Sequence, residues 1–173
     1  MTIKTLVLYS SVDGQTLKIM KRIITRIKGD VTLLNIDDHP EIDFSAYNKV
    51  LIGASVRYGN FRKNLLHFVN QHKSQLDTLP NAFFVVCLTA RKPEKANPAN
   101  NAYMAKFDHL SAWQPRLKGV FAGALLYSRY NWWQTLIIQL IMKMTGGSTD
   151  KSKDIELTDW SKVDAFSKDF SAL

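Results

Sequence analysis

Cysteine is almost missing from this chain: Cys87 stands alone inside an apolar run, so no internal disulfide can form and a reducing compartment is expected. Two common nucleotide loops are missing altogether. Without G-x-x-x-x-G-K-S/T there is no lysine poised for a triphosphate, and without G-x-G-x-x-G there is no cradle for a dinucleotide pyrophosphate. Histidine is sparse, and His39, His67, His72 and His109 show no metal-ligand spacing, so no metal is assigned. Acidic residues are outnumbered, 15 Asp and Glu against 23 Lys and Arg. The formal net charge of +8 favours an anionic partner, whether nucleic acid, an acidic lipid surface or a carboxylate-bearing substrate. The opening residues, Met1 to Lys4, are polar and run straight into a strand, which is no signal peptide. Nor is there an internal repeat or a low-complexity linker. With 173 residues, 46% of them hydrophobic, the expectation is one domain, 1–173, with a sizeable core.

What is present begins with Ser10, Ser11, Val12, Asp13, Gly14, Gln15 and Thr16. This stretch joins the apolar run Leu6, Val7, Leu8, Tyr9 to an amphipathic one in which Leu17, Met20, Ile23, Ile24 and Ile27 recur at helical spacing. It reads as strand, tight turn and helix start, with Gly29 as the helix stop. Backbone N–H groups at a helix N-terminus are unpaired and carry the positive end of the helix dipole, so the turn attracts phosphate. Hydroxyls of Ser10, Ser11 and Thr16 add donors, and without a P-loop lysine a phosphate monoester fits best. The turn resembles the T/S-x-T-G-x-T phosphate loop of flavodoxins, matching at Ser11, Gly14 and Thr16. Asp13 departs from that pattern. A carboxylate facing the phosphate would repel it, so Asp13 is expected to turn back and cap the helix. A plain strand-turn-helix connection without a ligand is the competing reading.

Val31 to Ile36, Lys49 to Ile52, Ala82 to Leu88 and Gly119 to Leu126 supply four further strands. Helical periodicity lies between them at Leu65 to Leu76 and Asn100 to Trp113. Thr158 or Asp159 caps a last helix holding Trp160, Val163, Phe166 and Phe170. The alternation predicts an α/β fold, a doubly wound five-stranded parallel sheet with helices on both faces. Ligands in such sheets sit beyond the carboxyl ends of the strands. Two more loops reach that edge: Gly53 to Phe61, with Ala54, Ser55, Val56, Arg57, Tyr58 and Gly59, and Leu88 to Lys95, with Thr89, Ala90 and Arg91. Their small residues let backbone approach a flat ring, Tyr58 can stack on it, and Arg57 and Arg91 bring charge. A phospho-acceptor receiver domain shares the architecture but needs an acidic residue after the third strand, where Ile52 and Gly53 stand.

Residues 127–157 form a longer connection than such units usually need. Its middle, Trp132 to Met144, predicts an inserted apolar helix with one thin polar stripe of Thr135, Gln139 and Lys143 beside Gln134. At about 1.5 Å per residue it measures roughly 20 Å, short of a bilayer core of about 30 Å. Trp132 and Trp133 at one end, Ile137 and Ile141 along the apolar face, and Arg129, Lys143, Lys151 and Lys153 as flanks match a helix lying in the headgroup layer. Protein is the other candidate for that face, either the chain's own domain or a second copy in a homo-oligomer.

Seven stretches then carry a likeness over nearly the whole chain: D-G-Q-T at Asp13 to Thr16, I-G-A-S-V-R-Y-G at Ile52 to Gly59, A-R-K-P-E-K at Ala90 to Lys95, A-G-A-L at Ala122 to Leu125, L-I-M-K-M at Leu140 to Met144, Gly146 with Gly147, and T-D-W at Thr158 to Trp160. With them the chain resembles the flavodoxin-like, quinone-dependent protoporphyrinogen oxidases of bacterial haem biosynthesis. The resemblance implies FMN as cofactor, protoporphyrinogen IX as substrate and menaquinone or ubiquinone as electron acceptor. It also implies peripheral attachment at the cytoplasmic face of the bacterial inner membrane, no nucleic acid partner, and an Asp13 that belongs to the pattern. Residues 10–16, 54–59 and 88–91 are then the FMN loops. Arg57, Arg91 and Arg129 are expected to pair with the two propionates, since guanidinium binds carboxylate bidentately. No catalytic base stands out. The alternative is a flavodoxin-type FMN carrier or quinone reductase without porphyrin chemistry, though such carriers are typically acidic and this chain carries +8. A cofactor-free module that binds acidic surfaces by charge is a third reading.

Overall fold

Along the first strand Leu6 and Leu8 pack to one side and Val7 to the other, all fully buried, so this strand is covered on both faces. The computed structural model, which describes residues 2–173, repeats that division across the sheet. Strands β1 (Lys4–Ser10), β2 (Asp30–Asn35), β3 (Lys49–Ser55), β4 (Asn81–Val86) and β5 (Leu117–Phe121) pair in parallel in the order β2-β1-β3-β4-β5. Leu6, Val50, Ile52, Phe83 and Val85 meet α2 (Lys63–Gln71), α3 (Lys73–Thr78) and α4 (Ala102–Leu110) on one face. Val7, Leu51, Ala82, Phe84 and Val86 meet α1 (Gln15–Ile24) and a C-terminal helix, Trp160–Ala172, on the other. Gly53 makes the second layer possible, because a Cβ there would lie 2.3 Å from Phe84 Cζ and 2.8 Å from Met20 Cε. The winding direction reverses between β1 and β3, which opens a crevice beyond their carboxyl ends.

Several boundaries differ from the sequence reading. Helix α1 stops at Ile24, not at Gly29. Gly29, at φ +98°, turns the chain into β2, and a Cβ there would meet Ile3 O at 2.1 Å. The periodic stretch at Leu65 to Leu76 breaks into two helices at His72, whose ring packs against Phe44 and Phe68. Helix α4 begins only after Asn101, whose Oδ1 accepts from the N–H groups of Tyr103 and Met104 at 2.9 and 3.1 Å. Cys87 and Leu88 lie beyond β4, and β3 runs on to Ser55.

The largest difference follows the fifth strand. β5 ends at Phe121, and beyond Gly123 a separate short strand, β6 (Ala124–Leu125), pairs antiparallel with β7 (Ile155–Glu156). This two-stranded ribbon closes the base of the inserted segment. Between its strands lies α5 (Trp132–Met144), started by a capping box between Asn131 and Gln134. Ile138 and Met142 bury against Leu125 and Tyr127 to form a small third core, with Leu88, Tyr130, Ile155 and Leu157 around it. The C-terminal helix is α6, capped by Asp159, whose Oδ1 accepts from Ser161 N–H at 3.0 Å.

Candidate functional site

Strand β1 ends at Ser10 and α1 begins at Gln15, so the four residues between them make a turn with the first N–H groups of a helix at its rim. Gly14, at φ +87°, is the N-cap residue, with no side-chain cap. Ser10 Oγ and Thr16 Oγ1 are both buried, and neither has a hydrogen-bond partner among the described residues. Buried hydroxyls without partners are costly unless a ligand completes them. A phosphate bound at this turn would supply the missing acceptor.

Asp13 does not cap the helix. Its carboxylate is drawn sideways by Arg57, whose Nη1 donates to Oδ1 at 3.1 Å, and Arg129 Nη1 donates to its carbonyl at 2.5 Å. Arg57 thus holds the negative side chain away from the cap position that sequence alone assigns it, while Arg129 anchors the backbone of the same residue.

The second loop is a tight hairpin. Arg57 and Asn60 exchange both backbone hydrogen bonds at 3.0 Å, and the residues between them, Tyr58 and Gly59, have φ of +49° and +77°. Positive φ at both centres is the signature of a type I′ turn, natural for glycine and strained for tyrosine. The turn presents Tyr58 with 45% of its surface exposed at the mouth of the crevice. The Arg57 guanidinium sits 5.3 Å from the Tyr58 ring centroid and 6.0 Å from that of Tyr130. Ser55 Oγ, a third buried hydroxyl without a partner among the described residues, lies at the root of this loop.

The third loop leaves β4 at Cys87, whose buried sulfur is 3.4 Å from Thr89 Oγ1. These loops and the inner face of α5 enclose a cleft of about 910 Å³, part of it open to solvent. Ser11, Val12, Asp13, Gln15 and Thr16 line it from the first loop, Ser55 to Gly59 from the second, and Leu88, Thr89 and Arg91 from the third. Ser10, Ala54 and Ala90 are buried behind that wall, and Gly14 faces a neighbouring depression.

Eight cleft residues escape a reading by sequence: Val86, Cys87, Tyr103, Gly123, Ala124, Tyr130, Ile138 and Thr145. Burial pushes the phenols of Tyr130 and Tyr103 above their ordinary value, so both stand as neutral groups. Ile141 also lines the cleft, where a membrane-facing position was expected. The outward row of α5 is instead Trp132, Leu136, Leu140 and Met144, four residues apart and 74%, 53%, 60% and 78% exposed, with Trp133 beside them and Ile137 half-buried. Of the three arginines, Arg57 and Arg91 reach the cleft, while Arg129 lies in the adjacent depression with Lys18, Asp154 and Glu156. Arg91 is largely engaged by the protein itself, bonding Leu88 and Thr145.

Comparison with known proteins agrees with this fold. Residues 6–152 match the Flavodoxin domain family. The NMR structure of the apo-form of a flavoprotein from Lactobacillus acidophilus NCFM shares the fold at 22% identity and a TM-score of 0.51, covering 71% of this chain and 93% of that one. A protein of Leishmania major named protoporphyrinogen IX dehydrogenase (quinone) is 47% identical over 176 residues, covering 98% of this chain and 75% of its own length. Its Escherichia coli K12 namesake is 41% identical over 173 residues, covering 98% of this chain and 96% of its own length. The chain therefore carries a flavodoxin domain and belongs to the family of the quinone-linked protoporphyrinogen IX dehydrogenases.

Proposed function

We propose that the chain binds FMN in the cleft and oxidises protoporphyrinogen IX to protoporphyrin IX, with a membrane quinone, menaquinone or ubiquinone, as final electron acceptor. One observation carries the reading. A turn whose buried Ser10 and Thr16 hydroxyls have no partner among the described residues, fit for a phosphate, opens into a cleft lined by Tyr58 and by Ile138 and Ile141 of the inserted helix. When bound, FMN supplies a two-electron acceptor for a substrate that must lose six electrons and six protons, which takes three rounds of oxidation.

The chain's own part is to bind and orient. Ser10, Ser11 and Thr16 with the start of α1 hold the phosphate, while Ser55 to Gly59 and Leu88 to Arg91 border the ring. Arg57 spends one N–H on Asp13, and its remaining donors serve a propionate. Ile138 and Ile141 give an apolar macrocycle a dry wall beside the ring.

The exposed row of α5 gives the enzyme its place of work. Thirteen residues span roughly 20 Å, and no described helix is long and apolar enough to cross a membrane. A row of Trp, Leu and Met flanked by Lys143, Lys151 and Lys153 suits peripheral binding to anionic lipid, at the cytoplasmic face of the bacterial inner membrane where quinone is at hand. The test is spectroscopic. The purified protein should carry FMN absorbance that bleaches when protoporphyrinogen is added without oxygen and returns when quinone follows. Bound FMN that porphyrinogen never bleaches would leave an electron carrier.

A further inference from the structure

The inserted segment reaches back to the phosphate turn at one point the function above leaves unexplained. Arg129 ends a short turn, Tyr127–Arg129, fixed by Asp154, whose carboxylate accepts from Ser128 N–H at 2.9 Å and from its hydroxyl at 2.5 Å. From there Arg129 Nη1 donates to the carbonyl of Asp13. The N–H of that same peptide unit, on Gly14, donates to Ser11 Oγ at 3.1 Å. Ser11 in turn lines the cleft, and its hydroxyl proton has no acceptor among the described residues. The guanidinium lies close over Gly14, where a Cβ would stand 3.3 Å from Nη1 and push it back by a few tenths of an ångström.

We propose that Arg129 is a positioning residue for the cofactor phosphate, acting through a chain of polarised hydrogen bonds from guanidinium to peptide to the Ser11 hydroxyl. A cation on a peptide oxygen draws electron density from the peptide nitrogen and makes its N–H a stronger donor. A hydroxyl that accepts such a bond becomes a stronger donor in turn. Arg129 thus adds positive character to the anion site without entering it, which explains why it sits on the outer side of the turn and away from the cleft. No atom moves and no bond breaks. The inference rests on the FMN reading and replaces the expectation that Arg129 pairs with a propionate.

The full chain, freed of flavin, is titrated with FMN and with riboflavin, which lacks the phosphate, following flavin fluorescence. Arg129→Gln removes the charge and should weaken FMN about tenfold while riboflavin stays within about twofold. Arg129→Lys should recover part of the loss. Ser11→Ala breaks the chain at its next link, so adding Arg129→Gln to it should cost less than about threefold more. Equal weakening of both flavins, or unchanged FMN affinity, overturns the proposal. So does a raised KM for porphyrinogen with FMN affinity intact, which would return Arg129 to the substrate. If the unmodified chain binds no FMN, the cofactor reading itself fails; if it binds FMN and the variants match it, only the role of Arg129 fails.

Discussion

Arg91 ties the loop after β4 to the end of the inserted helix: its Nη2 donates to both the carbonyl and the hydroxyl of Thr145, at 2.8 and 2.9 Å, while Nη1 holds Leu88 O at 2.9 Å. A cation at a helix C-terminus is favourable, and here it fixes a cleft wall to the cleft floor. Arg91→Ala should lower stability by about 2 kcal/mol, or roughly 4–8 °C in Tm, and speed proteolysis within residues 141–150. Unchanged protection there would mean that Arg91 serves the substrate alone.

Thr16 gives a prediction with two signs. Its hydroxyl is buried without a partner among the described residues, so Thr16→Val leaves the flavin-free protein as stable as before or slightly more stable. The same change removes a donor to a buried anion, costing on the order of 1.5–3 kcal/mol, or about tenfold or more in FMN affinity. Flavin titration paired with thermal melts of the free protein checks both. Loss of stability without loss of affinity would place the phosphate elsewhere.

Tyr127 and Tyr130, under α5, are held above the ordinary phenol value, chiefly by burial. A raised folded value means that the fold favours the neutral phenol. That stabilisation is complete below the free phenol's pKa of about 10 and is lost as pH climbs through the raised folded values. The urea midpoint of the unmodified chain should therefore fall above about pH 10, and fall less in the Tyr127→Phe, Tyr130→Phe double variant. Parallel curves for the two proteins would contradict this.

The sheet was legible because two-sided burial writes continuous apolar runs, as at Leu6 to Leu8 and Phe83 to Val86. The phosphate turn was legible because its hydroxyls and Gly14 are contiguous. What lay hidden was long-range. β6 and β7 are two residues each, too short for any period to show, and 29 residues lie between Leu125 and Ile155. The Asp13 carboxylate looked like a helix cap because its partner, Arg57, is 44 residues away, and Arg129, which takes the Asp13 carbonyl, is 116 residues away. Ile141 looked membrane-facing because an all-round apolar helix does not reveal which side its own domain covers.

The outward row of α5 can be changed without touching the cleft. Leu136→Glu with Leu140→Glu puts two charges where the structure leaves both leucines more than half exposed. Unmodified protein should float with vesicles containing anionic lipid and the double variant should not. Turnover with a lipid-soluble quinone should drop, while turnover with a water-soluble acceptor persists. Equal flotation would mean that the row meets protein.

The central claim, that this chain passes porphyrinogen electrons through FMN to quinone, is tested most directly by stoichiometry under strict anaerobiosis. Protoporphyrin fluorescence and quinone absorbance are followed together. The account predicts three quinones consumed for each porphyrin formed, because six electrons leave in pairs, and no sustained porphyrin formation when quinone is withheld. FMN-loaded protein that forms no porphyrin with quinone present, or forms it equally fast without quinone, would contradict it.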